Sequence, residues 1–205
     1  MGCDGDYVDR DYLRIDKSEF FTANLEEPFS FGRRFDLVTS TEVAEHLPEI
    51  AARTFVDTLC NHCDLVFFTA ALPEQRGVHH VNCQYPSYWA KLFRENGFSA
   101  FDFLKKEVIP RYFAENGSKF KLASFFITNG VLYAKRDSEV YRKITDKYAE
   151  ISDLRELDAL NGKIVETLLN NNHRMGFKSC VKSYLAATFP QAYDFLRRVK
   201  RKIQQ

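Results

Sequence analysis

Two apolar runs of strand length, joined by a segment with helical periodicity, constrain the fold of this chain most. The runs cover Phe35–Thr39 and Asp64–Ala70. Compact apolar runs of this kind are typical of strands buried on both faces, as in a parallel sheet. Between them, Glu49–Asn61 places apolar side chains at helical spacing. The pattern predicts a strand, helix, strand unit with a right-handed connection, and therefore an α/β protein.

Further elements are predicted on both sides of this unit. Strands are expected at 20–23, 98–104 and 124–134, the last two as an antiparallel pair. A helix should begin at Pro86 and end near Asn96, where Gly97 follows. From Asp137 onward, apolar residues at helical spacing predict one or two long helices. The predicted organisation is an α/β domain over residues 1–136 and a C-terminal helical extension over residues 137–205.

Composition disfavours several classes of protein. Lys and Arg total 29 against 28 Asp and Glu, and a net charge of +1 disfavours bulk binding to nucleic acid. No run of about 18 apolar residues exists, so no membrane span is expected. The five cysteines are widely spread, and the N-terminus does not resemble a secretory signal. We therefore expect reduced thiols and a cytoplasmic location.

Polar residues follow the first apolar run. Ser40 and Thr41 come at its end, and ligands of open α/β sheets bind at the carboxyl ends of strands. If the next segment is helical, Glu42, Glu45 and His46 share one face. Two carboxylates and an imidazole that converge can supply a general base or bind a divalent cation. The alternative is a solvated helix start, with Glu near the positive end of the helix dipole.

The segment from Gly2 to about Arg136 resembles class I S-adenosylmethionine-dependent methyltransferases, especially small bacterial methyltransferase-domain proteins. Residues 35–38 and 40–47 carry the resemblance, and they are similar to the fourth strand of that family and the loop after it. Four weaker similarities occur in the same order along the chain. Gly2–Gly5 resembles the end of the second strand, and Ala23–Leu25 resembles the loop after the third. Gly77–Asn82 resembles the loop after the fifth strand, and Pro86–Trp89 resembles the next helix.

This resemblance implies a Rossmann-like methyltransferase sheet with S-adenosylmethionine as the cofactor. In the family an acid at the Asp4 position accepts the ribose hydroxyls, and Asn24 stands where an Asp usually contacts the adenine amine. The implied cofactor-binding residues are Asp4, Gly5, Asn24, Leu25, Ser40 and Thr41. The implied catalytic residues, facing the methyl acceptor, are Glu42, Glu45, His46 and His80. The acceptor would be an oxygen or nitrogen of a small molecule or glycan.

A divalent metal is an alternative at the same residues. Within this superfamily, Glu-x-x-Glu-His with a later His resembles the metal site of some O-methyltransferases. The corresponding set here is Glu42, Glu45, His46 and either His80 or His79. The sequence favours a polar active-site wall without metal, because many relatives carry the Glu-His pair and no metal.

The first strand of the family and its Gly-x-Gly-x-Gly loop have no counterpart in this sequence. The loop lets the backbone approach the methionine part of the cofactor, and the strand lies between the second and the fourth. We therefore predict an N-terminally truncated methyltransferase. The alternative is a non-catalytic scaffold or partner-binding module, and the helical tail from Asp137 is the candidate surface for a partner or a dimer.

Overall fold

The computed structural model describes residues 1–73, 75, 77–102, 104, 107 and 129–158. Within them the protein is mixed α/β. The strands and α-helices, in chain order, are β1 (Gly2–Asp4), β2 (Phe20–Thr22), β3 (Val38–Thr41), α1 (Ala52–His62), β4 (Leu65–Thr69), α2 (Pro86–Glu95), β5 (Phe98–Phe101), β6 (Val131–Lys135) and α3 (Glu139–Thr145). Short 3-10 turns occur at Arg10–Tyr12, Lys17–Glu19, Ala44–His46 and Glu49–Ala51.

Within the described residues, the main sheet has four strands in the order β3, β4, β6, β5. Strands β3 and β4 are parallel, and Val38 lies opposite Val66. Strand β6 runs antiparallel to both β4 and β5. The prediction that the two apolar runs pair as neighbouring parallel strands is therefore confirmed, and so is the antiparallel last pair.

Strands β1 and β2 form a separate small sheet. They pair in parallel, with Gly2 opposite Phe20 and Asp4 opposite Thr22. The N–H of Ala23 donates to the carbonyl of Asp4 at 3.1 Å and extends the pairing by one residue. The carboxyl end of β1 and the loop after β2 therefore lie side by side.

His62 ties the segment after the small sheet to helix α1. Its Nε2 accepts the N–H of Phe31 at 3.1 Å, and its Nδ1 donates to the carbonyl of Thr58 at 2.7 Å. Phe29 and Phe31 pack against the imidazole, and both also contact Phe21 of β2. His62 is only 5% exposed, so this contact attaches the half-buried rings of Phe29 and Phe31 to a buried side chain.

Aromatic side chains of α2 and the main sheet form the centre of the core. The rings of Phe93 and Tyr133 stack with centroids 3.8 Å apart, and Trp89 lies 5.3 Å from Phe68. Ile151 and Leu157 belong to the same hydrophobic core. The boundary expected at residue 136 stays a prediction.

Several predicted boundaries were wrong. Strand β3 begins at Val38, and Phe35 keeps only an isolated parallel bridge to Cys63, with its N–H donating to the carbonyl of His62. The segment after β3 is helical over a single 3-10 turn, Ala44–His46, so Glu42 lies outside the turn. Strand β5 ends at Phe101. The predictions for 124–128 and 159–205 lie outside the described residues.

The long helix predicted after Asp137 is interrupted. Ser138 caps α3, which ends at Thr145. Ile151 then donates its N–H to the carbonyl of Ala100 at 2.8 Å, and Arg94 donates to the carbonyl of Ser152 at 2.8 Å. These tertiary contacts replace the helical hydrogen bonds that the apolar spacing predicted. Of the helices in the described ranges, none has the length and apolar character to cross a bilayer.

Candidate functional site

A cleft of about 860 Å³ lies between the small sheet and the carboxyl end of β3. Its volume is in the range of ligand-binding pockets, roughly 300–1,000 Å³. The small sheet contributes the residues around Asp4 and Asn24, and the other wall contains Glu42, His46 and His79. The cleft therefore joins residues that are far apart in sequence.

Most of the predicted cofactor-binding residues line this cleft. Asp4, Gly5, Asn24 and Leu25 do so, whereas Ser40 and Thr41 are not among the described residues of its wall. Ser40 is buried in β3, and its hydroxyl makes no hydrogen bond to any residue that the structure describes. Thr41 lies opposite Thr69 in the strand pairing. These two residues shape the sheet beside the cleft and do not form its surface.

Asp4 holds an aromatic ring in the cleft. Its Oδ1 accepts the N–H of Gly5 at 2.7 Å and the hydroxyl of Tyr7 at 2.6 Å. The Tyr7 ring lies directly over Gly5, because a Cβ at position 5 would be 2.2 Å from Cε1 of the ring. The hydrogen bond to Asp4, aided by burial, raises the pKa of Tyr7. Tyr7 was not predicted from the sequence, and its spacing of three residues from Asp4 was the only signal for it.

Asn24 has a local structural role. Its side-chain oxygen accepts the N–H of Glu26 at 3.1 Å, which is an Asx turn. Leu25 packs against the edge of the hydrophobic core. The turn fixes the loop after β2 in the wall of the cleft.

Glu42 is fixed to the end of strand β4. Its N–H donates to the Oγ1 of Thr69 at 3.0 Å, and that hydroxyl donates to Oε1 of Glu42 at 2.8 Å. Glu42 has a φ of 53°, a left-handed conformation that is uncommon for residues other than glycine. Thr69 therefore determines where the Glu42 carboxylate points.

Glu45 is completely buried, and neither carboxylate oxygen has a hydrogen-bond partner in the described structure. Its backbone carbonyl accepts the N–H groups of Val81 and Asn82 at 2.9 and 3.0 Å. Burial raises the pKa of Glu45 to about 7, and the charge of Glu42 adds to the shift. The backbone N–H groups of Glu45 and Ala71 and the charge of His46 oppose it.

His46 and His80 lie beside Glu45. Their ring centroids are 5.0 Å apart, and one side-chain ligand atom from each of the three residues lies within 4.8 Å of the others. Glu42, Glu45, His46 and His80 are the residues predicted to face the acceptor. Glu42 and His46 line the cleft, but Glu45 and His80 are not among the described residues of its wall.

Backbone carbonyls orient both imidazoles. Nδ1 of His46 lies 3.2 Å from the carbonyl of His79, and Nδ1 of His80 lies 3.2 Å from that of Gln75. A carbonyl only accepts, so Nδ1 carries the proton in each ring when these bonds form. A Cβ at Gly77 would lie 1.9 Å from Nε2 of His80, so the position of this ring requires a glycine there.

The sequence matches no known protein family and no curated protein. Tyr7 and Thr69, which contact Asp4 and Glu42, are among the site residues that were not predicted from the sequence. The function is therefore inferred from the geometry of the cleft together with the sequence patterns that led to it.

Proposed function

We propose that this chain is an S-adenosylmethionine-dependent methyltransferase for an oxygen or nitrogen of a small-molecule or glycan-type acceptor. One observation carries the proposal. Asp4 and Asn24, the predicted cofactor-binding residues, share a cleft with Glu42 and His46, which are predicted to face the acceptor. Methyl transfer needs the cofactor and the acceptor aligned in such a common space.

The separation of the two sheets also supports the proposal. Under it, β1 and β3 correspond to the second and fourth strands of the family, which the first strand would normally separate. In the described residues β1 and β3 belong to different sheets, and β3 is the edge strand of the main sheet. A strand placed between them would join the two sheets into one Rossmann-like sheet.

The reaction would be an in-line displacement. S-adenosylmethionine held along Asp4 and Asn24 would supply an electrophilic methyl group to the acceptor oxygen or nitrogen, which would give up a proton. We assign His46 as the group that takes the acceptor proton. Its Nδ1–H is held by the carbonyl of His79, which leaves Nε2 as a proton acceptor in a residue that lines the cleft.

Cofactor binding by this chain alone should be weak. The glycine-rich loop normally binds the amino-acid half of the cofactor, and Asp4 and Asn24 would contact mainly its ribose and adenine. Hydrogen bonds to charged groups contribute about 1.5–3 kcal/mol each, so the loss of several weakens binding by orders of magnitude. We also propose a cytoplasmic location, where the free cysteines of the described ranges would stay reduced.

Calorimetric titration with S-adenosylmethionine tests the proposal. This chain is compared with one extended upstream by a strand and a Gly-x-Gly loop. Binding only by the longer chain would support a truncated methyltransferase, and micromolar binding by the short chain would contradict the predicted role of the loop. In the longer chain, Asp4→Asn should abolish cofactor binding. The matched control Asp137→Asn should not, because Asp137 has a φ of 67° that Asn tolerates. If neither chain binds, the methyltransferase proposal fails.

A second candidate function is a non-catalytic methyltransferase-like scaffold or partner-binding module. The observation that favours it is the hydrogen bond from Tyr7 to Oδ1 of Asp4, since a ribose hydroxyl would compete for that oxygen. Failure of both chains to bind the cofactor, together with a stable fold, would be the result expected of a scaffold.

A further inference from the structure

We infer that the cleft takes a protonated amine with an apolar body and rejects ligands that carry a phosphate or a carboxylate. That this amine is the methyl acceptor rests on the proposed function. Among its described residues, the cleft wall carries no lysine or arginine, and its other titratable side chains are one tyrosine and two histidines. Its carboxylates are those of Asp4, Asp6, Glu26 and Glu42.

Basic side chains do not neutralise these acids in the part of the chain that the structure describes. The ion pairs there join other acids to Lys or Arg, such as Asp64 to Arg34 at 2.6 Å. Arg10 donates to Oγ1 of Thr22 in the wall at 3.1 Å, and its guanidinium lies over the ring of Phe20. Uncompensated charges of one sign repel one another, so a cation that enters the cleft lowers their electrostatic energy and an anion raises it.

The shape of the cleft strengthens this selection. Charges of one sign act together in a cleft, because its low-dielectric walls focus their field on the space between them. The volume of about 860 Å³ admits a small organic molecule. Leu25, Val43, Leu47 and Val78 also line the cleft and would contact the apolar part of such a ligand. The wall therefore suits an amine with an apolar body.

Tyr7 adds a second interaction that prefers cations. Its ring is held over Gly5 by the hydrogen bond from its hydroxyl to Asp4 at 2.6 Å. Gly5 covers one face of the ring and the side chain is 79% exposed, so the other face is accessible. The face of an aromatic ring attracts an ammonium group through its quadrupole. The ring and the unpaired carboxylates thus favour the same kind of ligand.

An amine is also an acceptor that His46 can prepare. A protonated amine must lose a proton before its nitrogen can accept a methyl group. The proton would pass from the ammonium group to Nε2 of His46, because Nδ1–H of that ring is directed to the carbonyl of His79 at 3.2 Å. The carboxylates of the wall would stabilise the imidazolium that forms. The same charges would therefore serve ligand binding and proton transfer.

Three ligands with one phenylethyl body and different charges test the inference: phenethylamine, 2-phenylethanol and 3-phenylpropionate. Each is titrated into the full chain without cofactor, and binding is followed by the amide chemical shifts in NMR. We expect phenethylamine to bind about tenfold more tightly than the alcohol and to shift the amides of Gly5 and Val43, and we expect no binding of 3-phenylpropionate. A rise from about 0.05 to about 0.5 M NaCl should weaken amine binding, because salt screens the carboxylates.

Glu26→Gln removes one charge from the wall and should weaken phenethylamine binding about threefold. With Asp6→Asn added, the loss should reach about tenfold. Neither carboxylate accepts a hydrogen bond from another residue that the structure describes, so the fold should be retained. Glu27→Gln is the matched control, because Glu27 is the next residue, is also exposed and is not among the described residues of the wall. It should bind phenethylamine as the wild type does.

Equal binding of the amine and the alcohol, tighter binding of the propionate, no detectable binding of the amine, or equal losses in Glu26→Gln and Glu27→Gln would overturn the inference. Methyl transfer is judged separately, by the cofactor titration of the longer chain. Amine binding without cofactor binding would leave the charge selection intact and remove the acceptor role. Cofactor binding without charge selection would overturn only the choice of an amine.

Discussion

The hydroxyl of Thr69 and the carboxylate of Glu42 close a small hydrogen-bonded ring between the ends of two neighbouring strands. The hydroxyl donates to Oε1 at 2.8 Å and accepts the Glu42 N–H at 3.0 Å. Glu42 holds a left-handed backbone conformation, with a φ of 53°. Such a conformation costs of order 1–3 kcal/mol, which these hydrogen bonds offset. The ring therefore sets the direction in which the chain leaves β3 for the site.

Replacement of Thr69 by Val tests this ring. Val keeps the shape of the side chain but removes the hydroxyl. The Glu42 carboxylate then loses its donor, and the Glu42 N–H loses one acceptor. We expect the free energy of unfolding to fall by about 1–3 kcal/mol. Thr69→Ser keeps the hydroxyl and should cost clearly less. Urea denaturation measures both, and equal stabilities of the two variants would show that the ring contributes nothing.

Glu45 should make stability depend on pH in the metal-free protein. Its pKa is about 7 in the folded chain against an ordinary value of 4.5. Between these values the folded state keeps a proton that the unfolded state releases, so stability falls as pH rises. At pH values below this range Glu45 does not reduce the free energy of unfolding. At pH values above it the reduction reaches its full size of about 3 kcal/mol.

Glu45→Gln should remove this slope. Because the amide stays neutral, the variant should be more stable than the wild type at pH 8, and the gain should shrink toward pH 5. The comparison is made by urea unfolding in EDTA at several pH values. The transition belongs to Glu45 together with Glu42 and His46, which interact with it. Parallel pH profiles of the two proteins would contradict the prediction.

His62→Ala should loosen the segment that follows the small sheet. The substitution removes the acceptor of the Phe31 N–H, in a partly buried hydrogen bond, and the donor to the Thr58 carbonyl, in a buried one. We expect a loss of about 2–3 kcal/mol and much faster hydrogen exchange at the Phe31 amide. The Phe35 amide donates to the backbone carbonyl of His62, so it serves as an internal control. If the Phe31 amide remains as protected as that of Phe35, the imidazole is not the anchor.

Cys3 should react slowly with alkylating reagents. Burial, and secondarily the charge of Asp4, raises the pKa of Cys3 to about 11 from an ordinary 9.0. The thiolate is the reactive form, so alkylation by iodoacetamide at pH 8 should be about 100-fold slower than in the unfolded chain. Peptide mass spectrometry reads each cysteine separately. Since burial is the larger cause of the raised pKa, Asp4→Asn should restore only a minor part of the alkylation rate. Full restoration would show that the charge of Asp4 is the larger cause.

The central pairing of the main sheet was predictable because apolar runs of strand length have few ways to be buried. Residues 35–39 and 64–70 indicated neighbouring parallel strands, and β3 and β4 are such a pair. The segment after Asp137 was not predictable in the same way. Its apolar spacing is helical, but its backbone groups form hydrogen bonds with Arg94 and Ala100. Such contacts depend on the tertiary fold, which cannot be read from the spacing of apolar residues.

The residues of the candidate site were only partly predictable. Glu45 and His46 follow a predicted strand end, so their place near the sheet edge could be inferred. Thr69 could not be connected with Glu42, because the two are 27 residues apart and meet only through the parallel pairing. The burial of Glu45 was equally hidden, since a glutamate in a polar stretch gives no sign that its oxygens lack donors.

Trp89, the single tryptophan of the chain, packs in the core between Phe68 and Tyr88. Its fluorescence therefore monitors how helix α2 sits on strand β4. The rings that attach the small sheet are phenylalanines and a histidine, which contribute almost no emission under tryptophan excitation. Detachment of the small sheet would leave the tryptophan spectrum unchanged. An unfolding curve followed by this emission therefore measures unfolding of the main core alone.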